Sequence, residues 1–115
     1  MAVGLIRRGD ILLVNFSPAR ESEANYTRPT VVLTNNAANA NNVVITVVPL
    51  TSNVERVYPF QLLLPHQRTG LNEDSKAQVE QIRSVALSRV LRRLGNVPAD
   101  LMLELDARMR EHLAL

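Results

Sequence analysis

Cysteine is absent from the 115-residue sequence, and aromatic residues make up only 3% of it. The lack of cysteine excludes disulfides and thiolate metal ligands and suits a reducing compartment. The two histidines, His66 and His112, are not spaced as HxxxH or HExxH, so a zinc site is not expected. The apolar run at residues 11–14 is too short for a signal-peptide core or a membrane span. We therefore expect a cytoplasmic protein that needs no metal or other cofactor.

Lysine is scarce, since Lys76 is the only one and every other basic residue is arginine. Arginine presents a planar fork that grips phosphate with two bonds and stacks on bases. A biased genome composition or surface ion pairs would give the same excess, and the formal net charge is only +2. The arginine bias alone therefore does not identify a nucleic-acid-binding protein.

Length and composition are those of an ordinary globular domain, with 46% hydrophobic and 21% charged residues. Domains commonly contain about 100–150 residues. With neither repeats nor a linker in the sequence, we expect a single domain over residues 1–115.

Short runs of Val, Ile and Leu separated by polar clusters predict an antiparallel β fold. The run at 43–50 is almost continuous, which predicts a central strand buried on both faces. Residues 77–85 alternate imperfectly, so a strand and a short helix both remain open there. Polar residues predict a loop at 19–27 and a turn-rich insert at 35–42. The other predicted strands are 11–16, 29–34, 58–64 and 91–94.

A helix is predicted at the C-terminal end of the sequence. Pro98 suits the first helical position, and Asp100 lies where the helix dipole favours a negative charge. An apolar stripe follows at helical spacing, and it would pack on the predicted β fold or form a dimer interface. The stripe consists of Leu101, Leu105, Met109 and Leu113.

Several short motifs carry polar side chains that could act together, although each motif is common by itself. They are Arg8-Gly9-Asp10, Ser17-Pro18, Glu23, Arg28-Pro29, Thr51 and Glu80-Gln81-Ile82-Arg83. In this order and spacing they resemble the signature of the MazF/PemK family of toxins. The resemblance extends over GDILLVNFSP at 9–18, RPTVVL at 28–33, VPLTS at 48–52, YPF at 58–60 and EQIR at 80–83.

The resemblance implies a small SH3-like β-barrel with a C-terminal helix that forms a homodimer. It implies a sequence-specific endoribonuclease that cleaves single-stranded RNA, usually mRNA, without metal and thereby inhibits translation. It also implies a cognate antitoxin whose acidic, disordered tail occupies the RNA groove.

The family's catalytic arginine and threonine fall on Arg28 and Thr51. Attack of an RNA 2′-hydroxyl on phosphorus gives a 2′,3′-cyclic phosphate and a 5′-hydroxyl, and both side chains could stabilise the charge that develops. Because a guanidinium does not lose its proton in a protein, the expected base is a carboxylate, Glu23 or Glu80, or solvent. The expected RNA contacts are Arg20, Tyr26, Ser52, Arg56, Gln81 and Arg83.

Some positions depart from the family pattern. Glu21 replaces a usual glycine, and Ser22 and Gln78 replace a histidine and an arginine that some members use. Two alternatives stay open: a gyrase poison of the CcdB type on the same barrel, and a barrel that binds RNA without cleaving it.

Overall fold

A strongly curled antiparallel sheet with a C-terminal helix forms the fold, in a computed structural model that describes residues 4–17 and 26–115. The strands are β1 (Asp10–Asn15), β2 (Thr27–Val32), β3 (Val44–Thr51), β4 (Leu62–Leu64), β5 (Ser75–Ala77), β6 (Arg83–Ala86) and β7 (Val90–Asn96). The helices are α1 (Asn36–Asn41), α2 (His66–Thr69) and α3 (Ala99–Leu113), with 3₁₀ turns at Val79–Gln81 and Leu87–Arg89. The predicted mainly-β fold with a C-terminal helix is confirmed.

The strand order is β4-β5-β3-β2-β1-β7, and every pair is antiparallel. β3 is the central strand, because one of its edges pairs with β2 and the other pairs first with β6 and then with β5. Val47, Val48 and Leu50 of β3 are fully buried, as the apolar run predicted, whereas Val44 at its start and Val43 just before it are exposed.

The sheet is buried on both faces, because successive side chains of a strand point to opposite sides. Val31 and Val48 face a core that α3 closes with Leu101 and Leu105. The neighbouring residues Val32 and Val47 face a second core on the other side of the sheet. The apolar stripe predicted for the C-terminal helix thus packs against the sheet through Leu101, Leu105 and Met109, whereas Leu113 is exposed.

Three segments differ from the predictions. Residues 36–41 form a helix where a turn-rich insert was expected, because the Asn35 side chain accepts the N–H of Ala38 at 2.8 Å and caps it. The strand expected at 58–64 begins only at Leu62, since Gln61 and Tyr58 close a tight turn. Residues 77–85 are the end of β5, a 3₁₀ turn and the start of β6, so neither a single strand nor a single helix describes them.

Candidate functional site

Arg28 lies in β2 beside a pocket of about 250 Å³ at one end of the sheet. Its walls come from the residue that follows β1, the start of β2, β3, the segment around the 3₁₀ turn and the first residue of β6. Its lining residues are Phe16, Tyr26, Arg28, Pro49, Gln78, Gln81 and Arg83. The predicted residues Arg28, Tyr26, Gln81 and Arg83 are thus brought together. We refer to this cavity as the Arg28 pocket.

Two aromatic rings lie side by side on the wall of the Arg28 pocket, with one guanidinium group against each of them. The Arg28 guanidinium carbon lies 5.3 Å from the centroid of the Tyr26 ring, and that of Arg83 lies 4.7 Å from the centroid of Phe16. The two ring centroids are 6.1 Å apart. Both distances from a guanidinium carbon to a ring centroid lie within the range of cation–π attraction. The wall therefore offers positive charge next to flat apolar surface, which suits a phosphate attached to a base.

Thr51 is the last residue of β3, the strand next to the one that carries Arg28. The hydrogen-bonded register of β2 and β3 pairs Thr30 with Pro49. Continuing that register by two residues along each strand sets Arg28 against Thr51. Residues two apart on a strand share a face, so Thr51 shares a face with Pro49, which lines the Arg28 pocket. The predicted pair therefore occupies neighbouring positions on one face of the sheet.

The 3₁₀ turn at Val79–Gln81 is attached to the same end of β3. The N–H of Gln78 donates to the carbonyl oxygen of Pro49 at 2.9 Å. Gln78 and Gln81 line the Arg28 pocket, but Glu80 between them does not. Glu80 instead accepts a hydrogen bond from the side chain of Gln61 at 2.8 Å. The structure therefore does not bring this candidate base to Arg28.

A basic and aromatic cluster lies on the other side of Thr51. Lys76 is the cross-strand partner of Thr51, is only 8% exposed, and donates to the carbonyl oxygen of Arg56 at 2.6 Å. Its Nζ lies 5.7 Å from the centroid of Tyr58, and the Arg56 guanidinium carbon lies 5.6 Å from the same centroid. Arg56 therefore contacts Lys76, the cross-strand partner of Thr51, but it does not line the Arg28 pocket.

A second and larger pocket, of about 530 Å³, opens on the opposite face of the sheet. Its lining includes Ser52, Pro29 and Leu13. Each of these is next in sequence to a residue whose side chain lies on the opposite face of the sheet. Ser52 directly follows the last residue of β3, and it lines this larger pocket and not the Arg28 pocket. This placement separates Ser52 from the Arg28 pocket, where an RNA contact was expected.

Two predicted residues, Arg20 and Glu23, lie outside the described residues. Gln78 was noted in the sequence only as a departure from the family pattern, yet it lines the Arg28 pocket. Arg89 was missed altogether. Its guanidinium donates to the carbonyl oxygens of Asn15 and Ser17 at 3.1 and 2.6 Å, which fixes the end of β1 next to Phe16. Nothing in its sequence context indicates that role, because the contact spans more than 70 residues.

His66 lies apart from the Arg28 pocket, in α2. Its backbone N–H and its Nδ1 contact Oδ1 of Asp74 at 2.9 and 2.7 Å. The hydrogen bond from this backbone N–H, followed by the one from the His66 ring, holds the pKa of the Asp74 carboxyl below its usual value. His66 is thus an exposed residue that is hydrogen-bonded locally to Asp74.

Over residues 4–17 and 26–115, no cluster of three or more histidine, cysteine, aspartate or glutamate side chains is arranged to hold a metal ion. No helix in the same part of the chain is long and apolar enough to cross a membrane.

Known proteins agree with this architecture. The family described as PemK-like, MazF-like toxin of type II toxin–antitoxin system matches residues 7–113. Endoribonuclease MazF9 of Mycobacterium tuberculosis is 52% identical over 116 residues, covering 96% of this chain and 98% of that protein.

Solved structures match over nearly the whole chain as well. The MazE–MazF crystal structure (Form-III) from Deinococcus radiodurans superposes with a TM-score of 0.79 at 26% identity, covering 96% of this chain and 98% of the other. An endoribonuclease from a mycobacterial species, 17% identical, shares the fold with a TM-score of 0.78 over 100% of this chain and 97% of its own. Because the family match covers almost every residue, including those around Arg28 and Thr51, the chain belongs to the PemK-like, MazF-like toxins of type II toxin–antitoxin systems.

Proposed function

We propose that this chain is an endoribonuclease toxin that cleaves single-stranded RNA at short sequence motifs and so inhibits translation. The observation that supports this most is the continued β2–β3 register that sets Arg28 against Thr51, next to a wall on which two aromatic rings lie between two guanidinium groups. MazF9 of Mycobacterium tuberculosis, at 52% identity, bears the name endoribonuclease. We propose that the protein acts in the cytoplasm, where mRNA is translated.

The proposed reaction uses a nucleophile that RNA itself supplies. The 2′-oxygen attacks the adjacent phosphorus and loses its proton to a base. The bond from phosphorus to the 5′-oxygen then breaks, and that oxygen takes up a proton. The products are a 2′,3′-cyclic phosphate and a 5′-hydroxyl, and atoms and charge balance without an added metal ion.

Arg28 and Thr51 would lower the barrier by binding the charge that builds up on the phosphorane oxygens. The guanidinium fork matches two such oxygens, and the threonine hydroxyl donates one further bond. One preorganised donor of this kind contributes about 3–4 kcal/mol, or roughly 10²–10³ in rate. In the proposed mechanism the 2′-proton goes to solvent or to Glu23, since the carboxylate of Glu80 is turned toward Gln61.

The RNA strand would be held by stacking and by phosphate contacts. Tyr26, 52% exposed, and Phe16 offer ring faces beside Arg28 and Arg83, and a stacked base contributes about 1–3 kcal/mol. Gln81 offers an amide at the same pocket. Arg56 and Tyr58 would contact the strand beyond Thr51, and Arg20 remains a predicted contact.

The proposed protein partners are a cognate antitoxin and a second copy of this chain. The Deinococcus radiodurans structure contains MazE together with MazF. An acidic, disordered antitoxin tail would suit the Arg28 pocket, because Arg28 and Arg83 present two guanidinium groups there. Such a tail would compete with the RNA phosphates for the same groups.

Cleavage of defined RNA by the pure protein in EDTA, followed by mapping of the new ends, tests the proposal. We expect a cyclic phosphate and a 5′-hydroxyl at a recurring sequence motif. A gyrase inhibitor or a non-catalytic RNA-binding barrel would leave the RNA intact. Cleavage that required added metal, or that left a 5′-phosphate, would contradict the proposed reaction.

A further inference from the structure

Gln61 is a buried polar residue whose hydrogen bonds reach three parts of the fold. It is only 3% exposed. Its N–H donates to the carbonyl oxygen of Tyr58 at 2.8 Å, and its Oε1 accepts the N–H of Tyr58 at 3.1 Å. Its Nε2 donates to Oε2 of Glu80 at 2.8 Å, and its carbonyl oxygen accepts Nε of Arg108 at 2.8 Å. Burying so many polar atoms is tolerated because each of them is paired.

These bonds fix the 3₁₀ turn beside the Arg28 pocket. One end of the turn is held at Gln78, whose N–H donates to Pro49 two residues before Thr51. The middle of the turn is held at Glu80 by Gln61. Gln61 is in turn held by Arg108 of α3. The pocket-lining residues on either side of Glu80 are thereby attached to both the central strand and the C-terminal helix.

The carboxylate of Glu80 points away from the place where RNA would react. Oε2 is bonded to Gln61, while Oε1 is buried and has no hydrogen-bond partner among the described residues. Gln78 and Gln81 line the pocket instead. A general base has to lie within hydrogen-bond reach of the proton that it takes. Neither oxygen of Glu80 meets that condition.

We propose that Gln61 and Glu80 form a positioning pair, which holds Gln78 and Gln81 at the Arg28 pocket without Glu80 transferring a proton. The proposal rests on the proposed endoribonuclease function, because the geometry that the pair maintains is that of the RNA-cleaving pocket. Glu80 acts as a hydrogen-bond acceptor, so a side chain that accepts the same bond can replace it. The accepted bond, not the negative charge, is what the pocket requires.

Substitutions that keep or remove the hydrogen bond between Gln61 and Glu80 distinguish a positioning role of Glu80 from proton transfer by Glu80. Glu80→Gln retains a carbonyl oxygen that accepts from Gln61, and we expect cleavage near the wild-type rate with an unchanged pH profile. Glu80→Leu and Gln61→Met remove the bond at similar side-chain volume. Displacing pocket groups by about 1 Å can cost 10²-fold in rate, so we expect kcat to fall about 10- to 100-fold in both. The double variant should be no worse than Gln61→Met, which already removes this bond together with the one that Oε1 accepts from Tyr58.

The matched controls are Gln67→Met and Glu104→Leu, two exposed positions away from the pocket, which should cleave like wild type. A Glu80→Gln variant as inactive as Glu80→Leu, with one limb of the pH profile lost, would show that Glu80 transfers a proton. Wild-type rates in Glu80→Leu and Gln61→Met would show that the pair positions nothing. Either result overturns the proposal.

Amide hydrogen exchange supplies a readout that does not need catalysis. The N–H groups of Gln81 and Ile82 donate within the turn at 2.8 and 3.2 Å. We expect both to exchange faster in Gln61→Met and Glu80→Leu than in Gln67→Met. Unchanged exchange would overturn the positioning role. If the wild-type protein cleaved no RNA, the proposed function would fail, but exchange would still decide whether the pair holds the turn.

Discussion

Thr51 and Ser52 are adjacent hydroxyl residues at the end of the central strand, and the structure gives them opposite surroundings. Thr51 shares the face of Pro49 and is the extrapolated partner of Arg28. Ser52 lines the pocket on the other side, together with Pro29 and Leu13. Removing one hydroxyl at a time therefore tests which face of the sheet is catalytic.

Thr51→Val removes the hydroxyl and keeps the branched shape that suits a strand. If the hydroxyl donates to the phosphorane, the variant loses about 3–4 kcal/mol of transition-state stabilisation, and cleavage falls by roughly 10²–10³. The cost in folding is smaller. Within residues 4–17 and 26–115 the hydroxyl accepts one bond, from the N–H of Asn53 at 3.3 Å, and a typical intramolecular hydrogen bond contributes about 1 kcal/mol.

Ser52→Ala serves as the control, with an expected change in cleavage rate of no more than about twofold, the equivalent of about 0.5 kcal/mol at a surface site. The assay is single-turnover cleavage of a labelled RNA, with thermal unfolding measured on the same samples. Equal losses in the two variants would refute the assignment of the catalytic face. So would a Thr51→Val variant that cleaves at the wild-type rate.

Three further outcomes follow from the geometry. Gly95→Ala should destabilise the fold by about 1–3 kcal/mol in urea unfolding, because a Cβ there would overlap the carbonyl oxygen of Thr69; unchanged stability would contradict that close approach. The pKa of Asp74 is lowered in the folded protein, so its bonds to His66 stabilise the fold at pH values above the unfolded pKa of about 3.9. That stabilisation is lost as the pH falls through the lower pKa of the folded state. Asp74→Asn should therefore differ from wild type in stability at neutral pH and converge with it in strong acid, and a difference that persists there would be contrary to this linkage. RNA affinity should fall steadily as salt rises, because Arg28 and Arg83 bind phosphate; a flat response in a filter-binding series would argue against the pocket as the RNA site.

Long regular segments were predicted well from the sequence, because their hydrophobic period reflects burial directly. The apolar run that forms β3 supplies residues to both cores, and the stripe of α3 supplies Leu101 and Leu105 to one of them. Segments set by single hydrogen bonds were missed. The helix at 36–41 depends on the Asn35 cap, and the late start of β4 depends on the turn that Gln61 closes with Tyr58. Propensity cannot show such bonds.

In the candidate site, too, features set by a local motif were predictable from the sequence, and features set by a distant hydrogen bond were not. Arg28 and Thr51 are indicated by their position in the family motif, whereas Ser52 of the same motif lines the larger pocket on the opposite face. The direction of Glu80 was beyond the sequence, because it depends on Gln61, 19 residues earlier in the chain. Distant contacts of this kind decide which of several carboxylates can reach a substrate.

Arg28 is the residue on which the proposed mechanism depends most. The most direct test compares wild type, Arg28→Lys and Arg28→Ala in single-turnover RNA cleavage, with RNA affinity measured separately. Lysine keeps the charge but not the fork. We predict that Arg28→Ala loses about 10²–10³ or more in the cleavage step at saturating RNA while it unfolds like wild type, and that lysine recovers only part of the loss. A folded Arg28→Ala variant that cleaves bound RNA at the wild-type rate would contradict the mechanism.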